Sequence, residues 1–294
     1  MTIILVLGVA ALALGDFPVS APDVIGVFTG QTQGIERIVV LEWRFPRAFG
    51  AVAFGAALAV AGALFQTITR NPLASPDIIG LANGSFTGML VALLALGGRW
   101  PLLTAGSLAG GLLAAGLIYG AAYRGGLQGS RFIVVGVGVS AMLASLNTWM
   151  LLRVEIETAL FASAWGAGTL NGVTGKLGFP AAACILGLLA LAPLISRPLR
   201  QLDLGDDAAA ATGVHVGRTR LAAIGIRVAL VSSVTAVAGP IAFIALAAPQ
   251  ITRRLTGTPG IPLGTTALVG GALLLAAGTS SPSMFFPTPC RWAW

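Results

Sequence analysis

Charge is scarce in this chain. Only 9% of its 294 residues are Asp, Glu, Lys or Arg, against about a quarter in soluble globular domains. So few polar groups cannot clothe a water-soluble core of this size, which points to a membrane class. Histidine is nearly absent: His215 is the single one, and it falls in a loop-like stretch. There is one lysine, Lys176, and the two cysteines, Cys184 and Cys290, lie in an apolar run and near the C-terminal end. No HExxH or CxxC spacing occurs, so no metal site, disulfide framework or catalytic constellation is indicated, and no cofactor is implied. GVTGKLG at 172–178 resembles a phosphate loop but lacks the GxxxxGK[ST] spacing, so ATP is not expected to bind this chain directly. The apolar start has no basic n-region and does not read as a signal peptide. All ten acids fall outside the long apolar runs. That counts against the main alternative, a secondary transporter of a small solute, which would place Asp, Glu or His within its spans for ion coupling.

Apolar sequence is what the chain has in abundance: 56% of it is hydrophobic and mean hydropathy is +0.91. A membrane helix needs about twenty apolar residues. Candidate spans run over 2–15, 48–68, 78–97, 101–122, 132–152, 179–196, 221–238, 239–252 and 263–278. The fold class is therefore all-α, a polytopic membrane helix bundle of about nine spans. The eighth begins at Gly239-Pro240, where a helix breaks or restarts. Segments 16–46 and 153–178 are too polar for ordinary spans, and the second has room for short interfacial helices. Gly84/Gly88, Gly106/Gly110 and Gly116/Gly120 are GxxxG pairs, whose spacing lets helix backbones approach closely in lipid.

The net charge of +7 is spread between apolar runs and not gathered into a patch, so it reads as loop charge and not as a nucleic-acid surface. With the N-terminus inside, the inner loops hold nine basic residues (Arg70, Arg124, Arg131, Arg197, Arg200, Arg218, Arg220, Arg253, Arg254) and the outer segments six (Arg37, Arg44, Arg47, Arg99, Arg153, Lys176). This positive-inside bias places TRNPLASPDIIG, residues 69–80, on the cytoplasmic side. Arg227 falls within an apolar run, seven residues after Arg220, and is expected to snorkel to the cytoplasmic interface. Asp203, Asp206 and Asp207 form a small acidic cluster read as helix N-terminal charge.

Three stretches carry a family resemblance. RFPRAFGAVAFGAALAVAGALFQTITRNPLASPDIIGLANGSFTG, residues 44–88, resembles the R-[LF]-P-R … G-A-A-L-A … Q … N-P-L-A-x-P-x-x-[LI]-G pattern of FecCD-type permeases. RPLRQLDLGDDAAAATGVHVGRTR, 197–220, is similar to that family's L-x-L-G-[ED] coupling segment. AVAGPIAFIALAAPQITRRLTG, 236–257, is similar to its A-G-x-I-x-F … P-H-x-x-R segment, with Gln250 in place of the histidine. The resemblance runs from about residue 30 to residue 277.

These permeases are the membrane subunits of ABC importers for iron-siderophores, haem and cobalamin. The resemblance implies ten helices, a homodimer or paired permease in the bacterial cytoplasmic (inner) membrane and a multi-pass topology surrounded by membrane lipid. It also implies cytoplasmic ATP-binding subunits and a periplasmic or lipid-anchored substrate-binding protein. The chain itself is then no enzyme, and an iron-siderophore is the expected cargo. By residue, Asn71 and Leu73 match one side of the translocation gate, with Gly129 and Ser130 on the opposing segment. Arg44 and Arg47 match the paired arginines that meet acidic residues of the binding protein on the outer face. Leu204, Gly205, Asp206, Ala209 and Gly213 match the ATPase-coupling segment, whose small alanine faces allow close docking.

The tail departs from the pattern. Residues 1–278 read as the permease domain and 279–294 as an aberrant tail lacking the last helix; GTSSPSMFFPTPCRWAW is too short and proline-broken to span a bilayer. One synonymous encoding of Gly278–Trp294, read from the third base of codon 278, gives DLVAQHVFPDTVPVGV, which restores the family's A-D-x-x-A … P-V-G-V run. A frameshift near codon 278 is therefore expected. Resequencing the gene across this region should show the family-like continuation in the other frame; an intact frame with no such continuation would refute the shift.

Overall fold

Lipid offers the backbone no hydrogen-bond partners, so a chain this apolar must satisfy its peptide groups within helices. The computed structural model describes residues 2–13, 17, 19–72, 80–97, 99–122, 129–202, 204–258 and 260–280, and every regular element among them is helical. In chain order these are α1 (Thr2–Ala13), α2 (Ala21–Thr29), α3 (Ile35–Ile38), a π-helical segment (Val39–Arg44), α4 (Phe45–Thr69), α5 (Leu81–Leu96), α6 (Trp100–Ala122) and α7 (Gly129–Leu151). Then follow α8 (Ile156–Gly166), α9 (Gly175–Leu202), α10 (Asp206–Ala211), α11 (Val216–Ala238), α12 (Ile244–Thr256) and α13 (Leu263–Ser280).

The nine expected spans correspond to α1, α4 to α7, α9 and α11 to α13. Among the described residues, five helical runs are long and apolar enough to cross a membrane: Ile35–Thr69, Trp100–Ala122, Ile133–Leu151, Gly175–Leu202 and Val216–Ala238. The first corrects the sequence reading. Helix does not begin at 48 but runs from Ile35, through the π-helical segment, into α4. The short helix expected within 153–178 is α8. The expected break at Gly239-Pro240 is also present. Gly239 has φ 72, a value that favours glycine, and α12 restarts only at Ile244 after a tight turn in which Ile244 N–H donates to Ala242 O at 2.9 Å.

At the centre is α4. Most of it is buried, from Gly50 to Gln66 with hardly a break, and it packs against α9, α11, α12 and α13. Its sequence FGAVAFGAALAVAGALF explains this position. Lipid tails are as apolar as leucine, so helices in a membrane associate through close contact and not through exclusion of water. Small residues on all sides let four neighbours approach one helix. A Cβ at Gly55 would collide with the carbonyl of Gly270 on α13, and one at Gly62 with the carbonyl of Ala245 on α12.

The GxxxG pairs divide. Gly84 and Gly88 on α5 face Gly110 and Gly106 on α6, backbone against backbone. Gly116 and Gly120 meet nothing within 4 Å, so the third pair makes no close approach within the described residues. Polar groups fasten α5 to α7. Thr87 Oγ1 donates to Asn147 Oδ1 at 2.6 Å, Asn147 Nδ2 donates to Asn83 O at 3.2 Å, and Asn83 Nδ2 donates to Ser140 Oγ at 2.9 Å. Such bonds contribute about 0.6 kcal/mol apiece between membrane helices.

Arg227 corrects a second expectation. It does not snorkel: it is fully buried in α11, and its guanidinium lies over the ring of Phe65 on α4, 4.1 Å from the centroid. A desolvated cation on an aromatic face is worth about 2 kcal/mol. That contact, together with the facing of α11 onto α4, holds the charge inside the bundle.

These contacts predict that Gly62→Leu lowers stability by about 2–3 kcal/mol, because the side chain must displace the backbone of α12. Gly120→Leu, in open space, should stay within about 0.5 kcal/mol of the parent. Thermal unfolding of the purified protein in detergent compares the two; equal stability would contradict the packing described.

Candidate functional site

The expected docking arginines and the turn that begins at Asn71 fall at the two ends of α4, which at 25 residues is about 37 Å long. At its N-terminal end, Arg44 and Arg47 were expected on an exposed outer face. The structure corrects this for Arg44, which is 2% exposed. Its Nη1 donates to Leu12 O at 2.7 Å and Ala13 O at 3.2 Å, and its Nη2 donates to Phe17 O. The last carbonyls of a helix have no intrahelical donors, and Arg44 satisfies the final two of α1, those of Leu12 and Ala13. Arg47 is half-buried and donates from Nη2 to Asn171 O at 3.1 Å. The surface around them carries exposed Arg37, Glu42 and Trp43.

At the other end, α4 stops at Thr69 with Arg70 as its cap. Arg70 has φ 50 and ψ 31, a left-handed conformation in which glycine is the usual residue. A side chain there costs about 1–2 kcal/mol. What the side chain does accounts for its presence. Nη2 donates to Asp206 Oδ1 at 2.8 Å and to Leu202 O, the end of α9, at 2.9 Å. The same Asp206 Oδ1 accepts from Arg220 Nη2 on α11 at 2.9 Å. One carboxylate thus joins α4, α10 and α11. It stands in the first turn of α10, where the helix dipole favours negative charge, in agreement with the sequence reading of Asp206 and Asp207.

Asn71 continues the turn, its N–H donating to Gln66 O at 3.2 Å. Pro72 O accepts from Gln250 Nε2 on α12 at 2.9 Å, and that same amide donates to Gln66 Oε1 at 2.5 Å. Gln250, noted in sequence only as a departure from histidine, is thus a direct partner of the turn. Leu73 lies outside the described residues. Gly129 and Ser130 form the start of α7, on an element separate from the turn. A cavity of about 740 Å³ opens beside it, lined by Gln66, Thr67, Arg70, Pro72, Arg200 and Arg253 among others.

The segment 204–213 makes a knob on this end. Leu204 is 76% exposed, Gly205 and Gly213 take φ 115 and φ 84, and six residues of helix lie between them. Ala209 corrects the expected docking face. It is fully buried against the bundle, and its carbonyl accepts from Val214 N–H at 3.0 Å, so it anchors α10. The exposed face is formed by Leu204, Asp207, Ala208, Ala210 and Ala211.

Comparison with known proteins identifies the family and the fold. The FecCD transport family model matches residues 3–291. The ferric enterobactin transport system permease protein FepG of Escherichia coli is 42% identical over 96% of this chain and 86% of its own length. The iron(3+)-hydroxamate import system permease protein FhuG of Bacillus subtilis is 32% identical over 97% of this chain and 88% of its own. In fold, a solved metal-chelate-type ABC transporter in an inward-facing conformation superposes with a TM-score of 0.86 at 24% identity, over 97% of this chain and 91% of that one. The match over nearly the whole chain and the 42% identity to a permease make this multi-pass helical bundle a transport permease, and the chain belongs to the FecCD transport family.

Proposed function

We propose that this permease is the membrane-spanning subunit of an ATP-driven importer for an iron-siderophore, working in the bacterial inner membrane as a homodimer or with a paired permease. The observation that carries the reading is the join between α10 and the turn after α4: an exposed knob tied through one carboxylate to the turn matched to the gate. The 42% identity to a ferric enterobactin permease supports the cargo class.

In this reading the arginine-rich end faces the cytoplasm. An ATP-binding subunit receives the exposed face of α10 in a groove, and movement of that groove on ATP binding displaces α10 as a rigid body. Asn71 and Leu73, with Gly129 and Ser130 on α7, form the gate that this movement opens and closes. The absence of a phosphate-loop spacing from the sequence agrees with ATP chemistry in a partner. At the outer end a substrate-binding protein docks on the rim around Arg47. Arg44 braces that rim from inside by capping α1, and charges around Arg47 set register and association rate more than affinity.

Docking and folding separate at α10. Ala208→Trp, on the exposed face, should lower recovery of the ATP-binding subunit in co-purification by about tenfold while the permease keeps its thermal stability. Ala209→Trp, on the buried face, should instead lower the stability of the permease itself. Undiminished recovery with Ala208→Trp would remove the docking assignment.

A further inference from the structure

We infer that Arg70 is the positioning residue that transmits movement of α10 to the gate, with Gln250 as the pivot of the turn. The inference rests on the proposed reading of α10 as the docking knob and of the turn at Asn71 as a gate. It adds the physical link between them.

The link is short. From Asp206, in the first turn of α10, to the backbone of the turn there is a single side chain, that of Arg70. Asn71 is the next residue. The turn is also held by Gln250, whose amide bonds Pro72 O and Gln66 Oε1 and so ties the turn to α12. The turn is therefore held through two side chains, by Arg70 to α9 and α10 and by Gln250 to α12. A displacement of α10 pulls on Arg70 while Gln250 holds Pro72, and the turn rotates between them.

Two further observations favour a tether over simple stabilisation. The Arg70–Asp206 pair is half-exposed, with side chains 47% and 44% accessible. Pairs of that kind add little stability. The backbone at Arg70 would also be more relaxed as glycine or asparagine, yet it carries the long side chain. Arg220, only 16% exposed, keeps Asp206 anchored to α11, and Arg70 is the more exposed of its two partners.

The test uses the assembled permease and ATP-binding subunits in nanodiscs, with Asn71→Cys introduced in a Cys184→Ser, Cys290→Ser background. The rate at which a membrane-impermeant maleimide labels the introduced cysteine is measured with and without ATP and vanadate, so no cargo is needed. With Arg70 intact, nucleotide should change the rate by about tenfold, within the range of linked sites. Arg70→Asn, which suits the left-handed backbone but is too short to reach Asp206, should abolish the nucleotide response. It should leave ATPase recovery and thermal stability unchanged. Arg70→Lys should restore part of the response, and adding Asp206→Asn to Arg70→Asn should cause no further loss. Gln250→Leu should raise labelling without nucleotide.

A full nucleotide response in Arg70→Asn would overturn the tether, and so would loss of the ATP-binding subunit from that variant, which would make Arg70 a docking residue. If the introduced cysteine ignores nucleotide even with Arg70 intact, the gate and docking reading itself fails, and the inference falls with it.

Discussion

The structure depends on how closely other helices can approach α4. In lipid there is no water to expel from between helices, so association must come from contact, and contact requires small residues. Gly55 against Gly270 and Gly62 against the carbonyl of Ala245 set α13 and α12 along one face of α4 with no room for another carbon. The same helix carries Phe65, on which Arg227 rests, and Gln66, which bonds both Leu246 O and Gln250. Because α4 is fixed this tightly, its two ends are fixed reference points for everything attached to them.

That rigidity gives the ends their different characters. At the N-terminal end, Arg44 is spent on the carbonyls of α1, and the helix runs on through the π-helical segment to Ile35. At the C-terminal end the last turn closes on a strained arginine, and the chain leaves through Asn71 and Pro72. On the proposed reading, a rigid rod with a gripped, proline-limited turn at its tip converts small movements of neighbouring segments into reorientation of that turn. The neighbouring segment bonded to that turn is the knob 204–213. It is short, bounded by glycines at positive φ, and bonded to the bundle mainly through Ala209, Asp206 and the Thr212–Gln201 hydrogen bond.

Much of this was legible in the sequence. Runs of about twenty apolar residues marked the spans, and Gly239-Pro240 marked the break before α12, because these signals are local. What was not legible depends on which face of a helix meets which neighbour. Arg44 matched a docking motif, but nothing in RFPR tells that α1 ends within reach of its guanidinium. Arg227 lies seven residues from Arg220, about 10 Å along a helix, which suggested an interface residue. Its direction is set instead by Phe65, 162 positions away in sequence (227 − 65). Ala209 lies in a run of alanines with no periodic contrast, so its burial could not be read. Arg70 and Asp206 are 136 residues apart, and only the fold brings them together.

The account makes transport depend on ATP and not on an ion gradient. The direct measurement is uptake of iron-loaded siderophores into proteoliposomes containing the permease with its ATP-binding subunits, supplied outside with the binding protein and inside with ATP. The account predicts uptake that requires luminal ATP and persists when ionophores collapse all ion gradients. Uptake that proceeds without ATP and stops on addition of an ionophore would contradict it.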